Sequence, residues 1–185
     1  MFNFAYSLDT TVTLDGCEYE IDMSFDNILR LFDLLNDKGI TDEIQVETAI
    51  VMLFGFKLDC DIQTQSTILN NIFDQMIADG QHKGPEVDIE GNPMPEEAGE
   101  KPVYSLKQDA PFIYASFYQD YGIDLFEQQG KLDWRKFLAL LDGLKGDTKF
   151  KEVIEIRTME LPTGKGSEKQ REKVLKAKKA YELKE

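Results

Sequence analysis

Residues able to do chemistry are few in this chain and poorly placed for it. The only histidine, His82, stands in the Gly/Pro-rich run GQHKGPEVDIEGNP. A general base needs an ordered pocket to fix its geometry and pKa, and that composition does not build one. Cys17 and Cys60 lack metal-ligand spacing and fall in different expected elements, so both are expected to be buried reduced thiols. Residues 125–137 follow the grammar of a calcium loop, with Gly130, Leu132 and Phe137 where its glycine, central aliphatic and following hydrophobe belong. The ligand positions hold Leu125, Glu127 and Gln129, and Lys136 replaces the bidentate glutamate, so no calcium site is expected. Gly164-Lys165 has neither the upstream glycine of a phosphate loop nor a strand before it. With no Ser/His/Asp set, H-E-x-x-H or C-x-x-C, the sequence points away from an enzyme, and no metal or cofactor is expected.

What remains is recognition rather than catalysis. Residues 109–144 gather Phe112, Tyr114, Phe117, Tyr118, Tyr121 and the only tryptophan, Trp134. Tyr114, Phe117, Tyr118 and Tyr121 follow i, i+3, i+4, i+7, one face of a helix. Phe117, Trp134 and Phe137 are expected to pin two helices together as core. Tyr114, Tyr118 and Tyr121 are the candidates for a protein interface, because tyrosine joins apolar area to a polar tip.

Charge narrows the partner. The net charge is −14, yet residues 165–185 hold eight Lys/Arg against four Asp/Glu, so the other 164 residues carry −18. An acidic body repels phosphates and anionic membrane surfaces, and neither nucleic acid nor membrane is an expected partner. No run reaches the length of a membrane span, and the start MFNFAYSLDTT lacks the basic and apolar regions of a secretory signal, so cytoplasmic residence is expected.

The elements that must position these residues are mostly helical. Residues 11–21 alternate apolar and polar around Asp15-Gly16, a type I′ hairpin signal. Ser24, Thr41 and Asp61 read as caps of three helices, Asp109 and Asp133 as caps of two more, with Leu132 and Phe137 spaced as a hydrophobic staple across the second. Tyr121-Gly122 ends the aromatic helix, another helix starts at Asp147 or Thr148, and a charged one follows Gly164. Residues 80–103 carry four of six prolines, four glycines and six acids against two lysines, which reads as a linker. The expected fold is therefore mainly α, a small helical protein with an N-terminal β-hairpin, six to seven helices and a flexible acidic linker. The expected parts are 1–79 (hairpin plus three helices), 80–103 (linker), 104–160 (aromatic helical part) and 161–185 (basic, partly mobile helical tail).

The runs YASFYQDYGIDLF, LDWRKFLALLDGL and DTKFKEVIEIR, with a lysine-rich end containing KAYEL, resemble the bacteriophage "gene product fifteen" family of temperate Gram-positive phages. The likeness is strongest over residues 104–185, and its specific parts are Tyr121-Gly122-Ile123-Asp124-Leu125 and Trp134-x-x-Phe137. Arg135 stands where the family's pattern carries a second aromatic residue. The resemblance implies a tail-morphogenesis protein encoded between the tail-tube and tape-measure genes. It would act as a chaperone that coats the tape-measure protein, keeps it soluble and leaves as tube subunits polymerise, with the tube protein a further partner. Host cytoplasm, absence from the mature virion and self-association through the N-terminal hairpin complete that expectation. The alternatives are a structural component of the finished tail and an acidic inhibitor of a host protein, which a regular double row of surface carboxylates would favour.

Overall fold

The computed structural model describes residues 5–77, 103–163 and 167–184. The linker expected at 80–103 lies outside these apart from Val103, as does His82. Within them the protein is mainly helical, with one two-stranded antiparallel sheet. The chain divides into two compact units, Met1–Glu96 with Gln129–Leu138, and Glu97–Gln128 with Ala139–Glu185.

The first unit begins with β1 (Thr11–Leu14) and β2 (Cys17–Glu20), paired with Val12 opposite Tyr19 and Leu14 opposite Cys17. Asp15 and Gly16 take φ of 49° and 81°, the two positive values a type I′ turn requires, which is why an Asp-Gly pair sits there. A lone hairpin is marginal, and here Tyr19 leans on Phe54 and Phe56, with ring centroids 6.3 and 5.8 Å away. Helices α1 (Phe25–Leu35), α2 (Asp42–Phe54) and α3 (Ile62–Ile72) follow, the last continuing into a π-helical turn, Phe73–Ile77. Ile28, Leu31, Ile50, Leu53 and Leu69 face inward and are buried.

Polar side chains finish the joints. The buried Asn27 amide donates to the carbonyls of Asp22 and Met52, tying the hairpin's exit and the end of α2 to the start of α1. Gln45 donates to the carbonyls of Leu34 and Asp37, covering acceptors left over at the end of α1. Asp61 caps α3 by accepting from the Thr64 N–H at 3.0 Å. Ser24 and Thr41 stand at helix starts as expected, but neither makes a side-chain cap.

Residues 129–138 belong to this unit, although the sequence division groups them with the C-terminal part. The physical reason is specific. The Phe25 N–H donates to the Leu132 carbonyl at 2.9 Å and the Trp134 N–H to the Met23 carbonyl at 2.7 Å, a one-bridge β pairing of Ser24 with Asp133. Two helix starts, those of α1 and α5 (Trp134–Asp142), thus satisfy each other's orphan N–H groups. The Gly130 N–H donates to the Asp26 carboxylate. Trp134 then enters the core. Its indole N–H donates to the Ile77 carbonyl at 3.0 Å, and its rings meet Phe32 edge-on and Phe137 in a stack, while Phe137 stacks on Phe25 at 5.1 Å. Asp133 holds the Arg135 guanidinium, whose other arm reaches the Asp9 carbonyl.

The second unit contains α4 (Ala110–Tyr121), the end of α5, α6 (Lys149–Thr158) and α7 (Glu168–Ala180). Ile113, Phe117, Leu125, Leu141, Leu144, Phe150 and Val153 are its buried apolar residues. The buried Ser116 hydroxyl donates to Phe112 O and accepts from the Phe150 N–H, joining α4 to the first residues of α6. Asp109 stands at the start of α4, but its carboxylate does not cap it. Arg157 of α6 grips it with two bonds of 2.6 and 2.7 Å, and the Ser105 N–H adds a third. Burial alone raises such a carboxyl, and here the bonds and charge of Arg157 with the Ser105 N–H reverse the sign, so Asp109 ionises below its ordinary range.

The basic tail is hydrogen-bonded to the rest of this unit. Arg157 donates to the Tyr181 carbonyl, Lys178 to the Arg157 carbonyl, Lys149 to the Tyr181 hydroxyl, and Gln108 exchanges two bonds with the backbone of Lys184. The Tyr181 ring meets Phe112 edge-on at 5.8 Å. No residue of α7 is fully buried, so polar bonds rather than a core stripe hold it.

Candidate partner-binding surface

The site grows from the end of α4. Gly122 adopts φ 66°, a left-handed conformation that a side chain would strain, and the helix stops there. The chain then folds back, burying Leu125 and leaving Ile123 half-buried. Asp124 holds two aromatic residues at once: Oδ2 accepts from the Tyr114 hydroxyl at 3.1 Å and Oδ1 from the Phe126 N–H at 2.9 Å. The Tyr114 ring lies 5.4 Å from Phe126 and stacks on Tyr118 at 6.4 Å. Tyr118 is 59% exposed and Phe126 71%. The Tyr-Gly-Ile-Asp-Leu run is therefore the construction of a surface patch: a stop, a hook, an anchor, and beyond it an exposed phenylalanine.

The sequence candidates separate accordingly. Tyr118 faces solvent, and Tyr114 is half-buried beneath it. The bond to Asp124, with burial second, raises the Tyr114 hydroxyl above its ordinary range, so it remains a protonated donor. Tyr121 points elsewhere: its hydroxyl donates to Leu140 O at 2.9 Å and its ring meets the fully buried Phe117 edge-on at 5.7 Å. Burial, then the Asp120 charge, raises its pKa. Phe117 is buried in the second unit, and Trp134 and Phe137 are buried in the first. Sequence reading passed over Phe126. The signal was there in a large aromatic residue, off the face of α4, followed by Glu-Gln-Gln-Gly.

The patch offers apolar area and a few polar atoms. Its groups are aromatic faces, one hydroxyl already donated and carboxylates, with Asp120 at the end of α4 engaged by Lys145. In the first unit an open cleft of about 510 Å³ is lined by Glu20, Asp22, Ser24, Lys131 and Asp133, among others. Asp22 accepts from the Ser24 N–H and Asp133 grips Arg135, so these two carboxylates are engaged in holding the fold. Among the described residues, no group of three or more His, Cys, Asp and Glu could hold a metal ion, and no helix is long and apolar enough to cross a membrane.

A family model described as bacteriophage Gp15 protein matches residues 6–183. No curated protein and no solved structure matches the chain.

Proposed function

The chain belongs to the bacteriophage Gp15 protein family, and from that premise we propose that it is a non-catalytic tail-assembly chaperone whose partner is the tape-measure protein. The observation that carries this reading is the patch of Tyr114, Tyr118 and Phe126, where two large aromatic side chains stand more than half exposed on a fixed scaffold. Isolated exposed apolar residues are ordinary, but a hydrogen-bonded aromatic cluster at a surface is the composition of an interface centre.

A tape-measure protein is long, helical and apolar-faced, and would aggregate if left bare. A partner that coats it needs an aromatic patch to meet an apolar helix stripe and a strongly charged exterior to hold the complex in solution. The net charge of −14 supplies the second requirement. In this reading the protein works in the host cytoplasm and departs when tube subunits take its place.

Co-expression with the cognate tape-measure protein tests the proposal. The expected result is a soluble complex that co-purifies, with the tape-measure protein insoluble when expressed alone. Detection of stoichiometric amounts in purified virions would instead assign it to the finished tail, and failure to form any complex would overturn the reading.

A further inference from the structure

The open cleft of the first unit contains a polar atom that the fold leaves unsatisfied. The Ser24 hydroxyl is buried with no hydrogen-bond partner among the described residues, and Ser24 as a whole is 6% exposed. An orphaned buried hydroxyl is costly, and native folds retain few of them. Its direction follows from the bridge between Ser24 and Asp133. The bonds run between the flanking residues, from the Phe25 N–H to Leu132 O and from the Trp134 N–H to Met23 O. The side chains of Ser24 and Asp133 therefore stand side by side on one face of the pairing, and both line the cleft. Asp133 is matched by Arg135. Asp22 accepts the Ser24 N–H through one carboxylate oxygen at 2.9 Å and keeps further acceptor capacity, and Glu20 is exposed. Neither Asp22 nor Glu20 has a salt bridge with a described residue. Lys131 is the cation among the described lining residues, and Met52 and Phe54 supply apolar surface.

We infer that the cleft takes the side chain of a lysine presented by a partner protein, with its ammonium between the Ser24 hydroxyl and the carboxylates of Asp22 and Glu20 and its alkyl stem against Met52 and Phe54. An ammonium has three donors and no acceptor, which suits a hydroxyl oxygen flanked by two carboxylates. The stem is apolar and gains from the contact that the rest of the lining offers. An anionic guest would be repelled by the same carboxylates. The site belongs to the first unit and rests neither on the aromatic patch nor on the chaperone reading.

The test titrates the full isotope-labelled chain, followed by NMR, with three small probes. They are Nα-acetyl-lysine amide, the same compound acetylated at Nε, and the norleucine amide, which keeps the stem and lacks the ammonium. The lysine probe is expected to shift the amide signals of Ser24, Gly55 and Gly130, and to bind about tenfold or more tighter than either other probe. Glu20→Gln should weaken lysine binding severalfold with the Tm unchanged. Ser24→Ala should weaken it too, and should raise the Tm by removing a hydroxyl that the free fold leaves unpaired. A serine with a structural role alone would not link weaker binding to a higher Tm. Equal binding of the norleucine or Nε-acetylated probe overturns the inference, since the charge would then play no part. Lysine binding unchanged in both variants overturns it as well, because solvent rather than a guest would satisfy Ser24. So does the absence of any shift at the highest soluble concentration of the lysine probe.

Discussion

Replacing Trp134 by alanine is the sharpest probe of how the first unit is held together. Trp134 is 3% exposed, its ring rests on Phe32 and Phe137, and its indole N–H is the donor to the Ile77 carbonyl. Truncating a buried aromatic side chain this far costs about 3–5 kcal/mol through lost transfer energy and the cavity left behind. The Ile77 carbonyl also loses its donor, which belongs in the upper part of that range. Against a total stability of about 5–15 kcal/mol the change is large. With a urea slope of about 2 kcal/mol per molar, the unfolding midpoint should fall by roughly 2 M, read by far-ultraviolet circular dichroism. Trp134→Phe separates the two contributions. It keeps most of the packing and loses the N–H, so the cost should shrink to about 1–3 kcal/mol. Hydrogen exchange should place the loss of protection in α1, α2 and α3. A midpoint shift below about 0.5 M for the alanine variant, equivalent to about 1 kcal/mol, would refute the packing of residues 129–138 against the N-terminal helices.

Arg157→Met should leave Asp109 in a buried site with its main counter-charge removed, a loss of about 3–5 kcal/mol. The pH dependence should also change sign. In the natural chain Asp109 is depressed, so its contribution is fully present above the unfolded value near pH 3.9 and disappears as pH falls through the folded value. In the variant burial dominates, the folded pKa rises, and stability should increase on acidification from neutrality towards pH 5, as thermal melts across that range will show. Tyr121→Phe removes the bond to Leu140 O and should cost about 1 kcal/mol while leaving co-purification with the tape-measure protein unchanged, read by melting and pull-down on one sample. A loss of co-purification would restore Tyr121 to the interface.

Local features of the fold were legible in the sequence because local chemistry decides them. Asp15-Gly16 specifies its turn through two positive φ values, and Gly122 ends α4 for the same kind of reason. The helical stripes around Ile28, Ile50 and Leu69 follow from periodicity alone. Partnerships across the sequence were not legible. Asp109 has the composition and position of a cap, and nothing local reveals that Arg157, 48 residues on, will take its carboxylate. Ser24 likewise looks like a cap, but the N–H beside it, that of Phe25, goes to the carbonyl of Leu132. At the candidate surface, the Tyr114–Phe117–Tyr118–Tyr121 stripe is legible as one helix face, but which tyrosine turns inward is not, since one bond to a neighbouring helix's carbonyl settles Tyr121. Phe126 escaped because it belongs to no period.

The pairing of Met23–Phe25 with Leu132–Trp134 has a consequence for how the chain is made. A ribosome adds about 5–20 residues per second, so roughly 3–12 s separate the emergence of Ile77 from that of Leu138. Through that interval the hairpin and first helices exist without the segment that completes them. Phe25 and Phe32 await Trp134 and Phe137, and the Phe25 N–H awaits its acceptor. A protein proposed to shield another chain's apolar surface thus has an unshielded stage of its own. Slowing elongation between codons 78 and 129 should lengthen it, and raise the fraction of nascent chains captured by host chaperones.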